Sequence, residues 1–213
     1  MKRFMILAVI AVSLIVFAAC GAIQERVDAN VYERIHRQLL SMENFMAQAT
    51  VTYISNNNSH TYETIQHALA TGEYRIEVTG PINVAGNTTI FDGTTISQFN
   101  PRLDGRVSQT TTEAPERVEI LLTSFVRNFI RMTESTVMAA TVEDATTTVL
   151  EATIPGDHPY LATSRLWVSN DTLHPVRMVI SDTSGTERII IEYIAFEYNV
   201  QSSPEFFIPP SIE

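Results

Sequence analysis

The chain has 213 residues, 24 acidic against 14 basic side chains, a net charge of −10 and a single cysteine. An acidic chain without clustered cations is not a nucleic-acid binder, so that partner is excluded. One cysteine allows no disulfide framework and no thiolate metal site, so a single ordinary core must close by packing alone.

The first twenty residues read as an address. Lys2 and Arg3 precede a run from Phe4 to Ala19 that is apolar except for Ser13. That run is short of the ~20 residues a membrane-spanning helix needs. A basic start, a short apolar core and a small-residue exit mark a secretory signal peptide. The exit, Phe17-Ala18-Ala19-Cys20, resembles the lipobox of bacterial lipoproteins, with Phe where Leu is usual. The resemblance implies a covalent diacylglyceryl lipid on Cys20, cleavage before it, acyl chains of the palmitate type and a place on the extracytoplasmic face of a membrane. Two chains make a stable anchor where one is marginal. Loss of Lys2 and Arg3 with the leader leaves the body more acidic, so anionic lipid repels it and the lipid anchor is the expected membrane contact. The expected organisation is a signal peptide over 1–19, a tether over 20–26 and one domain over 27–213.

Along the domain, Val27, Val31, Ile35, Leu39, Met42, Phe45 and Met46 recur at spacings of three and four, which predicts a helix over Gln24–Ala49. The period then drops to two. Strands are expected at Thr50–Ile54, Thr61–Ala68 and Tyr74–Val78, and a hairpin at Asn87–Phe91 and Thr94–Phe99 around Asp92-Gly93. Pro101–Ala114 is polar and irregular and reads as a loop. Arg117–Met132 reads as a second helix, with Leu121, Leu122, Phe125 and Phe129 in its apolar stripe. Five further strands follow: Val137–Val142, Thr147–Ile154, Ser164–Val168, Pro175–Ser181 and Thr186–Phe196. Short turns between them predict an antiparallel meander. The apolar tail Pro204–Pro210 is expected to dock on the sheet edge. The fold class is therefore α+β: a curved antiparallel sheet, a half-barrel, with an N-terminal helix and an inserted helix covering its concave face. A long strand such as Thr186–Phe196 left at an edge would pair with a second copy, giving a possible homodimer.

No catalytic constellation emerges. The five histidines, His36, His60, His67, His158 and His174, show no one-turn helical pair and no H-E-x-x-H. Asp157-His158, between Gly156 and Pro159, has the residue types for half of a metal or acid–base site, but its flanks are the setting of a solvated turn. His36 falls near the polar side of the first helix and reads as a surface residue. The acidic pairs Glu113 with Glu116 and Glu143-Asp144 read as solvated loop faces. There is no Gly-rich phosphate cradle and no G-x-S-x-G elbow. The expectation is a protein that is not an enzyme, with no metal and no cofactor beyond the lipid. Candidate cavity or interface residues are Leu122, Phe125, Phe129 and Trp167. At helical spacing the two phenylalanines are better read as core, while a lone Trp on a strand is either packed or an interface anchor.

The order of pieces resembles the lipoprotein-sorting carriers of the LolA and LolB family. It runs from an N-terminal helix through "GEYRIEVTGP", "TTIFDGTTISQFNP" and "LWVSNDTLHPVRMVISD" to a final strand leading into "FEYNV". In finer detail, "TYETIQ", "TGEYRIEVTGPINVAGNTTIFDG", "LLTSF", "VLEATIPGDHPYL" and "LWV" are similar to the germination lipoproteins of the GerS family. That resemblance implies a LolA-like domain and a non-catalytic lipoprotein of sporulation and spore germination. Its implied partner is a cortex N-acetylmuramoyl-L-alanine amidase of the CwlD kind, which carries the catalytic zinc itself. In a spore-former the membrane would be forespore-associated. The alternative that the resemblance leaves open is a LolA-like carrier of lipid or lipoprotein acyl chains in the cell envelope.

Overall fold

Alternating side chains and tight turns build a sheet that two helices cover on one side. The computed structural model describes residues 29–102, 105–110, 118–132, 136–142 and 145–208. The stretch read as a leader, Cys20, all of the expected tether, Glu113, Glu116 and Glu143-Asp144 lie outside the described residues. Helix α1 (Ala29–Leu40) is followed by β1 (Asn44–Ile54), β2 (Ser59–Leu69), β3 (Tyr74–Gly80), β4 (Thr88–Phe91), β5 (Thr95–Asn100) and β6 (Gly105–Thr110). Helix α2 (Leu122–Ile130) leads to β7 (Thr136–Val142), β8 (Ala145–Thr153), β9 (Thr163–Ser169), β10 (Pro175–Ser181) and β11 (Glu187–Tyr198).

The strands form one eleven-stranded sheet in the order β6-β5-β4-β3-β2-β1-β11-β10-β9-β8-β7. Each wing is a meander, and the wings join where β11 pairs antiparallel with β1. The edges are β6 and β7, so the sheet curves without closing, the α+β half-barrel expected. Bulges help it bend, since an extra residue kinks a strand and increases its twist. In the β1–β11 pair the register skips Ile194, which is left exposed. Of the turns, Asp92-Gly93 is the clearest. Gly93 takes φ +97°, and Asp92 Oδ1 accepts from the N–H groups of Thr94 (2.9 Å) and Thr95 (2.7 Å).

The core lies on the concave face. Phe45, Ala47, Ala49 and Val51 of β1 share it with Phe196 and Ile191 of β11, and Ile35, Leu39, Phe125 and Phe129 of the helices close over them. Helix α2 packs along β8.

Five expectations are corrected. The first helix ends at Leu40, and Asn44 begins a strand. Phe45 and Ala47 fit the period-2 stripe that runs on to Val51 as well as the helical one. The joint is fixed from far along the chain, where Asn199 Oδ1 accepts from the backbone N–H of Glu43 (2.8 Å) and Asn44 (3.3 Å). Strand β6 lies within the stretch read as a loop, paired to β5 from Asn100↔Gly105 to Thr95↔Thr110. The second helix starts at Leu122, after a turn closed by Leu121 N–H to the Val118 carbonyl (3.0 Å). Finally, β11 is a central strand and no edge, so it offers no pairing surface to a second copy. The tail leaving it therefore arrives over the middle of the sheet and not at its rim.

Candidate functional site

Three of the sequence candidates meet and the fourth does not. Leu122, Phe125 and Phe129 lie on one side of α2 and are buried in the core, with the Phe125 and Phe129 rings stacked 5.7 Å apart. Trp167 is paired with Val149 and Arg177, on the opposite face of the sheet from Leu166 and the core. There the Arg177 guanidinium sits 5.5 Å from the indole centroid, a cation–π contact on the outer surface. His36 is not a simple surface residue. It is half-buried between Tyr32, 5.8 Å away, and Phe129, 6.3 Å away, at the contact of the two helices. Asp157 and His158 are both exposed in a turn, where His158 Nδ1 accepts from the Tyr160 N–H (3.3 Å).

The concave face holds a cavity of about 310 Å³ that the two helices leave uncovered. Val51, Tyr53, Tyr62, Tyr74, Val118 and Ile120 line it. The register explains the gathering. Val51 pairs with Tyr62 and so shares its face, while Tyr74 pairs with Ala68, on the same face of β2 six residues from Tyr62. Burial raises the phenol pKa of Tyr53, with Tyr62 adding to it, and burial raises that of Tyr74. Both hydroxyls therefore stay neutral at physiological pH. Deeper on the same face, Gln66 is fully buried. Its Nε2 donates to Thr64 Oγ1 (3.3 Å) and its Oε1 has no partner. The hydroxyl of Tyr193 is also buried without a partner, whereas Tyr198 donates to the Leu173 carbonyl (3.0 Å). Burial pushes both phenols up, and Tyr198 adds to the shift of Tyr193. Neutral hydroxyls on an apolar wall suit an uncharged or apolar group. Among the described residues no three His, Cys, Asp or Glu side chains are close enough to hold a metal ion.

A second surface is made where the tail docks, on the outer face of the sheet and not at its edge. The segment after β11, residues 199–208, crosses the outer face and ends in a 3-10 turn, Pro204–Phe207. The rings of Phe206 and Phe207 lie 4.9 and 5.1 Å from the ring of His67 on β2. The sequence signal was present, since His67 alternates with Ala68 and had to face away from the core, but nothing local said what would cover it.

The family model of the sporulation protein YdcC-like family matches residues 1–207. No curated protein matches the sequence significantly. Among solved structures, an uncharacterized conserved protein from Thermus thermophilus superposes with a TM-score of 0.52 at 11% identity, covering 84% of this chain and 90% of that one. A chain of the Clostridioides difficile CwlD amidase in complex with the GerS lipoprotein is 27% identical, covering 83% of this chain and 100% of that one, with a TM-score of 0.49. A LolA superfamily protein from Nitrosomonas europaea is 13% identical over 86% and 99% of the two chains, with a TM-score of 0.43. The likeness to the Thermus protein is one of fold. The match of the family model over nearly the whole sequence goes further, and the chain belongs to the YdcC-like family of sporulation proteins.

Proposed function

We propose that this chain is a non-catalytic, membrane-tethered adaptor of the spore envelope that binds a cortex N-acetylmuramoyl-L-alanine amidase. The observation that carries the reading is membership of a sporulation family over residues 1–207. The GerS-like stretches of the sequence supply the amidase as partner. The Phe17–Cys20 exit supplies the tether, with residues 1–19 removed, 20–26 as the spacer and the remainder as the binding domain. Tethering raises the effective concentration of the adaptor toward anything held at the same membrane. The zinc that hydrolyses the cortex belongs to the amidase in this reading. The test is affinity purification of the tagged chain from the membrane fraction of sporulating cells, alongside Cys20→Ala. The amidase should co-purify with the native chain, and in the variant both should leave the membrane fraction. Absence of the amidase from the native eluate, with normal cortex modification in a deletion strain, overturns the adaptor role.

The concave cavity favours a second reading, a carrier of an apolar group.

A further inference from the structure

We propose that the C-terminal segment is a pH-sensitive latch, in which protonation of His67 releases residues 200–208 from the outer face of β1–β3. His67 is 3% exposed, and neither Nδ1 nor Nε2 has a hydrogen-bond partner. An imidazole whose neighbours are two phenyl rings is tolerable while neutral. An imidazolium in the same place is a buried charge with no acceptor for either N–H. Phe207 is itself buried and Phe206 half-exposed, so the rings that enclose His67 are also what fastens the segment down.

The charged groups around the site favour opening over local repair. Across the β2–β3 pair His67 faces Arg75, whose guanidinium lies 5.6 Å from the Phe206 centroid, so its cross-strand partner is a cation. On the same strand, Glu77 Oε2 is held by Arg75 Nη2 at 3.3 Å. These groups line a cavity of about 500 Å³ with Met46 and Ile65, and the segment contributes Glu205, an exposed side chain. From β11, Glu197 pairs with Met46, one strand further away. Beyond Phe207 a larger cavity of about 1200 Å³ carries Glu43, Glu73 and Asp92. Asp92 is committed to its turn, and Glu73 accepts from Thr71 Oγ1. A proton on His67 thus meets a cation across its own sheet, while Glu77 is held by Arg75 and Glu205 is exposed on the segment itself.

The sign follows from burial, which lowers the His67 pKa below its ordinary 6.5. The closed form binds the proton less well than the open form. As pH falls through about 6.5, opening is favoured, by up to tenfold per pH unit until the closed-form pKa is reached.

The experiment is hydrogen exchange of the full chain in detergent at pH 7.5 and 5.5, with labelling times scaled for the intrinsic exchange rate. The amides of Phe206 and Ile208, bonded to the Ser203 and Glu205 carbonyls, are the reporters. Their protection should fall severalfold, up to about tenfold, at pH 5.5 while that of β8 and β9 holds. In His67→Phe, which keeps the ring packing, and in His67→Gln, which keeps polarity without charge, protection should not change with pH. No fall in the native chain, a rise that signals capture of the imidazolium by Glu205, or an equal fall in both variants overturns the latch.

Discussion

Asp182 shows how much one side chain can organise. Its Oδ1 accepts from the Ser184 hydroxyl (2.6 Å) and from the N–H groups of Ser184 (2.8 Å) and Thr186 (3.0 Å), closing the β10–β11 turn. Its Oδ2 pairs with Arg188 at 2.7 Å. Arg188 in turn donates to Asn56 Oδ1 (2.9 Å) in the β1–β2 turn and lies 5.3 Å from the ring centroid of Tyr160 in the β8–β9 loop. The Ser184 hydroxyl first, then Arg188 and the two backbone N–H groups, hold the Asp182 carboxyl well below the usual carboxylate range, against the opposing effect of burial. A depressed carboxylate contributes stability that is full above its unfolded pKa, near 3.9, and is lost as pH falls toward the folded value. Asp182→Asn is therefore less stable than the native chain at pH 7. Below about pH 4 the gap should narrow as the native chain loses its own contribution. Urea midpoints measured from pH 7 to pH 2 check this, and a gap that stays constant or widens at acid pH contradicts the assignment.

At the level of elements, the sequence was legible where one period held and illegible where two overlapped. Tyr74–Val78 and the Asp92-Gly93 hairpin were readable because alternation and turn chemistry agree locally. The α1–β1 junction was not. Met42, Phe45 and Met46 extend the helical stripe, while Phe45, Ala47 and Ala49 begin the strand, and Asn199, 155 residues from Asn44, decides between them. Strand β6 has no apolar alternation to announce it and exists through its ladder with β5. The α2 stripe was read correctly as apolar, but its share of the fold follows only from the structure. Phe125 is 1% exposed and stacked on Phe129 beneath a helix whose Thr123, Ser124 and Asn128 are buried too. Phe125→Ala should cost about 3–5 kcal/mol, because surroundings fixed on every side cannot collapse into the space. Chemical denaturation measures the loss. A cost under about 1 kcal/mol, far below that of a buried ring, together with loss of amidase binding, would move Phe125 from the core to an interface.

For the molecule as a whole, the simple order of the sheet follows from the chain, since each wing pairs sequential neighbours. The single non-local step, β11 returning to β1, could not be read from spacing because it joins strands at opposite ends of the domain. That step decides what the concave face can hold. It brings Phe45 against Phe196, ring centroids 5.4 Å apart, and draws both wings into one core under the helices. Among the described residues the concave cavity lined by Tyr53, Tyr62 and Tyr74 is about 310 Å³, at the lower end of the roughly 300–1,000 Å³ typical of ligand pockets. A carrier of long acyl chains needs more than this or must displace α2, whose burial opposes that movement. The chain should therefore take up a fluorescent long-chain fatty acid only weakly, with no saturation at low micromolar concentrations. A short apolar probe fitting between Tyr53, Tyr62 and Tyr74 should bind better, and Ile76→Trp, which fills the cavity from β3, should abolish that binding. Tight, saturable uptake of the long chain that Ile76→Trp removes would reverse the ranking and make the half-barrel a carrier.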